Sequence, residues 1–234
     1  MHNITDNIKQ VSASLQQSAQ QFNRSVDEIM LLAVSKGQNH QALRLAWQAG
    51  LKNFGENYLQ EALEKITALD GIDPCWHFIG PIQSNKTQDI ARHFSWVHSI
   101  ERFKIARRLN QQRPEHLPPL NVCIQVNIDR EASKSGIDPE HCLELALGIN
   151  ELPRLKLRGL MVIPRQREQL DIQRQPYHQA AQLLDNLKKS SAALTSLDTL
   201  SMGMSADMPA AIAEGATIVR VGTAIFGPRT KTKF

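Results

Sequence analysis

Aromatic residues are scarce in this 234-residue chain, at 5%, and only two of them are tyrosines, Tyr58 and Tyr177. Cysteine is scarcer still. Cys75, Cys123 and Cys142 are widely spaced and odd in number, which suits neither a disulfide framework nor a zinc site, so reduced thiols and no metal are expected. No stretch approaches the ~18 consecutive apolar residues of a membrane span. The N-terminus, MHNITDNIKQ, lacks the apolar core of a signal peptide, which predicts a cytoplasmic protein. The formal charge is only +4, from 27 basic and 23 acidic residues spread along the chain with no long basic run, which argues against a nucleic-acid partner. No G-x-G-x-x-G follows the first apolar run, which argues against dinucleotide binding. No Pro/Gly/Ser-rich linker divides the chain, so residues 1–234 are expected to form one domain.

Against those absences stands a regular alternation. Ile4, Ile8, Val11 and Leu15 have helical spacing and predict a leading helix over Ile4 to Asn23. Apolar runs follow at Ile29–Val34, Leu51–Gly55, Trp76–Ile79, Trp96–Ile100, Leu120–Ile128, Leu157–Ile163, Thr199–Met202 and Ile218–Phe226. Amphipathic stretches separate them, at about Gln41–Ala49, Tyr58–Leu69, Asn85–His93, Arg102–Gln112, Pro139–Glu151, Gln166–Lys189 and Met208–Glu214. Alternating strands and helices predict an α/β fold with a parallel sheet covered by helices. Eight strand-like runs in a chain of this length fit a closed (β/α)₈ barrel better than an open doubly wound sheet.

In such barrels the C-terminal ends of the strands carry the chemistry. The first run, IMLLAV, ends in Ser35 and Lys36, and turn residues follow at once. Lys36 is either the first solvated residue of a loop or an amine placed deliberately at the barrel mouth. Ser201, Gly203 and Ser205 cluster after the seventh run, and Gly222 and Thr223 sit in the eighth. Glycines and hydroxyls after the last two strands of a barrel make a phosphate cup. Arg220 alternates with Val219 and Val221, so it points either outward to the helices or inward to the barrel, and an inward arginine needs a partner. An amine, an arginine and a phosphate cup on one face predict a phosphorylated aldehyde held as a Schiff base. Pyridoxal 5′-phosphate fits, with its aldehyde on Lys36, its ring nitrogen at Arg220 and its phosphate at Ser201, Gly222 and Thr223. The lysine must be deprotonated to react, which desolvation and nearby cations favour.

The segments LLAVSK, FGENY, WHFIGPIQSNK, SKSGI, LRGLMVI, LSMGMSADM and IVRVGTAIFG, spread from about Leu31 to Gly227, together resemble the pyridoxal phosphate homeostasis protein family. The resemblance implies the barrel shared with the N-terminal domain of alanine racemase, known as fold type III. It implies that Lys36 forms the Schiff base, that Arg220 faces the pyridine nitrogen, and that Ser201, Gly222 and Thr223 hold the phosphate. Asn57, His77 and Met161 match residues lining the cofactor. Many relatives carry a second lysine two places after the anchor, where this chain has Gln38. The basic tail RTKTKF is expected to be solvated.

Racemisation needs acid/base groups on both faces of the substrate carbon. In alanine racemases the second base is a tyrosine from a separate C-terminal domain, and this chain ends about a dozen residues after Thr223. An arginine at the pyridine nitrogen also weakens the ring as an electron sink. The expectation is a monomeric, non-catalytic carrier or buffer of pyridoxal phosphate, with apoenzymes as recipients and indirect effects on amino-acid pools. The alternative is a weak pyridoxal-phosphate-dependent racemase.

Overall fold

A computed structural model describes residues 3–228. Eight parallel strands close on themselves in sequence order, β1-β2-β3-β4-β5-β6-β7-β8, with β1 hydrogen-bonded to β8. The strands are β1 (Met30–Val34), β2 (Asn53–Glu56), β3 (Cys75–Phe78), β4 (Trp96–Ile100), β5 (Leu120–Val126), β6 (Leu155–Val162), β7 (Thr199–Ser201) and β8 (Ile218–Val221). Each predicted run overlaps one of them, β2, β3 and β6 reaching one or two residues beyond the predicted bounds. The leading helix is α1 (Ile4–Gln21), capped by the Asn3 side chain. Helices α2 (His40–Gln48), α3 (Leu59–Ala68), α4 (Thr87–His93), α5 (Phe103–Gln112), α6 (Cys142–Asn150), α7 (Leu170–Ser190), α8 (Met208–Ala213) and α9 (Thr223–Phe226) cover the barrel.

The run over Ile218–Phe226 is not one strand. It breaks at Gly222 (φ −115°, ψ −83°) and continues as α9. Periodicity cannot separate a short buried helix from a strand, which is why the apolar run reads through the break. The long stretch after β6 likewise stays irregular until Gln169, although the charged residues before it suit a helix surface.

Burial falls into two layers. Leu32, Trp96, Cys123, Met161 and Ile218 pack inside the barrel, and a larger shell of apolar residues fills the space between strands and helices. Helix α1 buries Ile4, Ile8, Val11 and Leu15, packs on α8 and α9, and is pinned there by Asn7 Nδ2 donating to Ile225 O at 2.9 Å. It therefore braces the segment that follows β8. Among the described residues no helix is long and apolar enough to cross a membrane. The predicted tail Arg229–Phe234 lies outside the described residues.

One glycine is obligatory for closure. Gly159 on β6 (φ +156°) lies so close to β7 that a Cβ would fall 1.9 Å from Thr199 O. Gly159→Ala is expected to cost at least about 2 kcal/mol, because backbone on both sides would have to move. Urea unfolding checks this, and a loss under about 0.5 kcal/mol, the range of a neutral surface change, would show that the β6–β7 contact can relax.

Candidate functional site

Strand β1 pairs with β8 through Leu32↔Arg220 and Ala33↔Val221, and with β2 through Val34↔Gly55. Leu32 faces the barrel interior. Alternation then sets Val34 and Lys36 on the same inward face, one above the other. Lys36 is half-buried and shares a cavity of about 30 Å³ with Val34, Gln38, Gly222, Thr223 and Gly227. That is room for about one water, so a larger ligand must also occupy the open mouth above it, where Thr223 is exposed. A larger cavity of about 690 Å³ lies at the opposite, N-terminal end of the barrel. Its arginines are already engaged, Arg158 with Asp198 at 2.7 Å and Arg24 with the carbonyls of Ile212 and Ala216. It also lies at the face that such barrels do not use for chemistry.

Asn57 follows the last residue of β2. Continuing the Val34↔Gly55 register brings it beside Lys36. Its position depends on Gly80, where a Cβ would fall 2.0 Å from Asn57 O. Asn57 Oδ1 is buried without a hydrogen-bond partner among the described residues. Buried polar atoms are rarely left so, and a polar group on a bound ring would complete it. An amine, an orphaned amide and a glycine–threonine pair at one barrel mouth thus fit a small phosphorylated aldehyde.

Arg220 points inward and is buried. Its Nη1 donates to Ser201 Oγ at 2.8 Å and its Nη2 to Val162 O at 2.9 Å. Part of the partner it was predicted to need is therefore supplied by the protein. Behind Ser201 runs a chain of close contacts: Ser201 Oγ to His98 Nδ1 at 2.8 Å, His98 Nε2 to His77 Nδ1 at 2.9 Å, and His77 Nε2 to Asn53 Oδ1 at 3.2 Å. The direction of this chain follows from chemistry. An arginine can only donate and an amide oxygen can only accept, so Ser201 Oγ accepts from Arg220 at one end and Asn53 Oδ1 accepts at the other; with one N–H on each neutral imidazole, Ser201 Oγ sends its own hydrogen to His98 Nδ1. His98 then donates from Nε2 to His77, and His77 donates from Nε2 to Asn53. Both imidazoles are neutral in this arrangement. Burial lowers the His77 pKa to about 3. Burial holds His98 well below its usual value too, with His77 and Arg220 adding to the effect.

The structure thus separates the predicted site residues. It brings Lys36, Asn57, Gly222 and Thr223 to the mouth and puts Arg220 one layer below, on the strand beside β1. Ser201 does not line the cavity of Gly222 and Thr223. It is fully buried and its hydroxyl is committed to Arg220 and His98. His77 is fully buried beneath the mouth, stacked on Trp96 at 5.4 Å between ring centroids. Met161 belongs to the apolar interior with Leu32 and Cys123. Sequence reasoning missed His98, Asn53 and the buried charges Glu56, Glu61 and Lys65. His98 had a visible signal, since WVHSI, like CWHF, sets a histidine two places from a tryptophan or next to one inside an apolar run.

Two outcomes follow from the directed chain. Nitrogen-15 NMR of histidine-labelled protein is expected to show His77 and His98 as neutral Nε2–H tautomers from pH 7.5 to 4.5. An Nδ1–H form would reverse the direction, and titration near 6.5 would overturn the neutral state of the pair. The sign of the stability effect is also set. As pH falls from 6.5 towards 3, the unfolded chain's His77 takes a proton that the folded chain refuses. Folding stability should then fall by up to about 1.4 kcal/mol per pH unit for this histidine.

Residues 7–230 match the family described as alanine racemase, N-terminal domain. A protein of Pseudomonas aeruginosa named pyridoxal phosphate homeostasis protein is 53% identical over 229 residues, covering 98% of this chain and 97% of the relative. A relative of the same name from Escherichia coli K12 is 49% identical over the whole of both chains. PipY of Synechococcus elongatus, solved with PLP bound, superposes with a TM-score of 0.84 at 35% identity, over 96% of this chain and all of that one. Alanine racemase of Clostridium difficile 630 shares the fold at 12% identity, with a TM-score of 0.75 over all of this chain and 58% of its own. The chain belongs to the pyridoxal phosphate homeostasis protein family, built on the alanine racemase N-terminal barrel.

Proposed function

We propose that this protein is a cytoplasmic, monomeric carrier of pyridoxal 5′-phosphate, which it holds reversibly as a Schiff base on Lys36 and releases to apoenzymes. The observation that carries this reading is the convergence of Lys36 from β1, Asn57 from β2, and Arg220 with Gly222–Thr223 from β8 and its turn on one barrel mouth. The names of the close relatives and the PLP-bound PipY structure support the choice of ligand. In the reaction, Lys36 Nζ bonds to the aldehyde carbon, and the carbonyl oxygen leaves as water with both amine hydrogens.

Gly222 and Thr223 would hold the phosphate, and Ser201 acts on the other side, by orienting Arg220. His77 and Met161 support the pocket from below instead of touching the ring. The absence of turnover is supported by the surroundings of the tyrosines. Tyr58 is 63% exposed at the start of α3, and on α7 burial pushes the Tyr177 hydroxyl up, with Asp207 adding to it. Arg220 also remains a donor at neutral pH, so it cannot protonate the ring nitrogen in the way that strong carbanion chemistry uses.

Purified protein given pyridoxal phosphate should turn yellow, lose the visible band on borohydride reduction, and show no band as the Lys36→Ala variant. A protein that stays colourless would sink the reading. With amino acids in deuterated water, no exchange of the α-proton is expected. Measurable exchange would instead favour a weak racemase.

A further inference from the structure

The residues on either side of Lys36 are tied to charges buried beneath them. Ser35 Oγ donates to Glu56 Oε1 at 2.6 Å, and Ser35 O accepts from Lys65 Nζ at 2.6 Å. Gly37 N donates to Glu61 Oε1 at 2.5 Å, from a left-handed conformation (φ +73°). Lys65 Nζ also meets Glu56 Oε1 at 2.7 Å and Glu61 Oε1 at 2.5 Å. Its three hydrogens therefore have three acceptors. Glu56, Glu61 and Lys65 are all at most 5% exposed. They come from the end of β2 and from one face of α3, where Glu61 and Lys65 are four residues apart.

A buried ion cluster is weak evidence for stability, because apolar residues of similar volume often serve as well. What charges supply and methyl groups cannot is a set of short, directional hydrogen bonds. Here those bonds end on the main chain before and after Lys36. Burial pushes the Glu56 carboxyl up against the pull of Lys65. That cost is accepted directly under the reactive loop.

We propose that Glu56, Glu61 and Lys65 form a buried clamp that positions Lys36, fixing the backbone on both sides so that its amine is presented to the aldehyde. They are positioning residues and do not touch the ligand. The inference rests on the reading of Lys36 as the anchor. Misplacing a reacting group by about 1 Å can cost on the order of 100-fold in rate, so the clamp should be visible in imine formation and invisible to a ligand that forms none.

Glu61→Leu removes the acceptor of Gly37 while leaving Glu56 and Lys65 as a balanced pair, and Glu61→Gln keeps an acceptor in place. The rate of appearance of the yellow band with pyridoxal phosphate should fall roughly 10- to 100-fold in Glu61→Leu and recover largely in Glu61→Gln. Binding of pyridoxine 5′-phosphate, which carries an alcohol where the aldehyde stood, should be unchanged in both. A wild-type band matched in rate by Glu61→Leu refutes the clamp alone, as does equal loss of both ligands. A wild-type protein with no band refutes the anchor reading and the clamp with it. Should Glu61→Leu not fold, amide exchange in the wild-type protein decides: strong protection of Gly37 N–H is expected, and exchange at the rate of an open loop overturns the proposal.

Discussion

Arg220 is 5% exposed and projects into a barrel interior whose apolar part is built from Leu32, Trp96, Cys123, Met161 and Ile218. Desolvating an ion in such surroundings costs on the order of several kcal/mol unless its donors are met. The protein meets them with one carbonyl, Val162 O, and one hydroxyl, Ser201 Oγ. A hydroxyl that accepts still has a hydrogen to place, so His98 must follow, then His77, then Asn53. Each link satisfies the one before it, and a half-satisfied version would be worse than an apolar core. The two histidines stay neutral, so the guanidinium remains the charged member of the row.

This constraint explains how the two sides of the barrel interior differ. The row occupies the inward positions of β2, β3, β4, β7 and β8, while Met161 and Cys123 fill the apolar side at β5 and β6. Arg220 stands at the upper end of that row, one layer below the Gly222 break. The break itself turns the chain into α9, which α1 clamps from outside through Asn7. The mouth therefore rests on a fixed floor and a braced rim, and Lys36 enters from the strand next to Arg220.

Most of the fold was legible because alternating apolar runs and amphipathic stretches are local features, readable a dozen residues at a time. Lys36, Arg220 and Gly222 could be gathered near one barrel end from closure, which makes the first and last strands neighbours, but the sequence left open whether Arg220 points inward. What could not be read is pairing between distant segments. Ser201 and Thr223 both looked like cup residues, since small hydroxyl residues after the last strands fit either role. Only the β7–β8 packing shows that the Ser201 hydroxyl is taken by Arg220. Glu61 and Lys65 have the spacing of an ordinary solvated helix pair. Their burial depends on where α3 lands against the β1 turn, and no local pattern encodes that. His77 was identified as important, but its fixed partner His98 lies 21 residues away.

The two buried polar systems have complementary consequences for what the mouth can do. Arg220 is anchored from behind as a charged donor, so it can hold an acceptor nitrogen without giving it a proton. On the proposed reading the ring it holds would be a poor sink for electrons, which suits storage better than turnover. Glu56, Glu61 and Lys65 act on the other partner, the lysine, and through its backbone instead of its amine. An enzyme of this fold would need a further acid or base aimed at the substrate carbon; of the two tyrosines, Tyr58 is exposed at the start of α3 and burial pushes the Tyr177 hydroxyl up. On the proposed reading, an amine at the mouth beside an arginine that keeps its protons suits the reversible capture of an aldehyde, one bond formed and broken at the lysine.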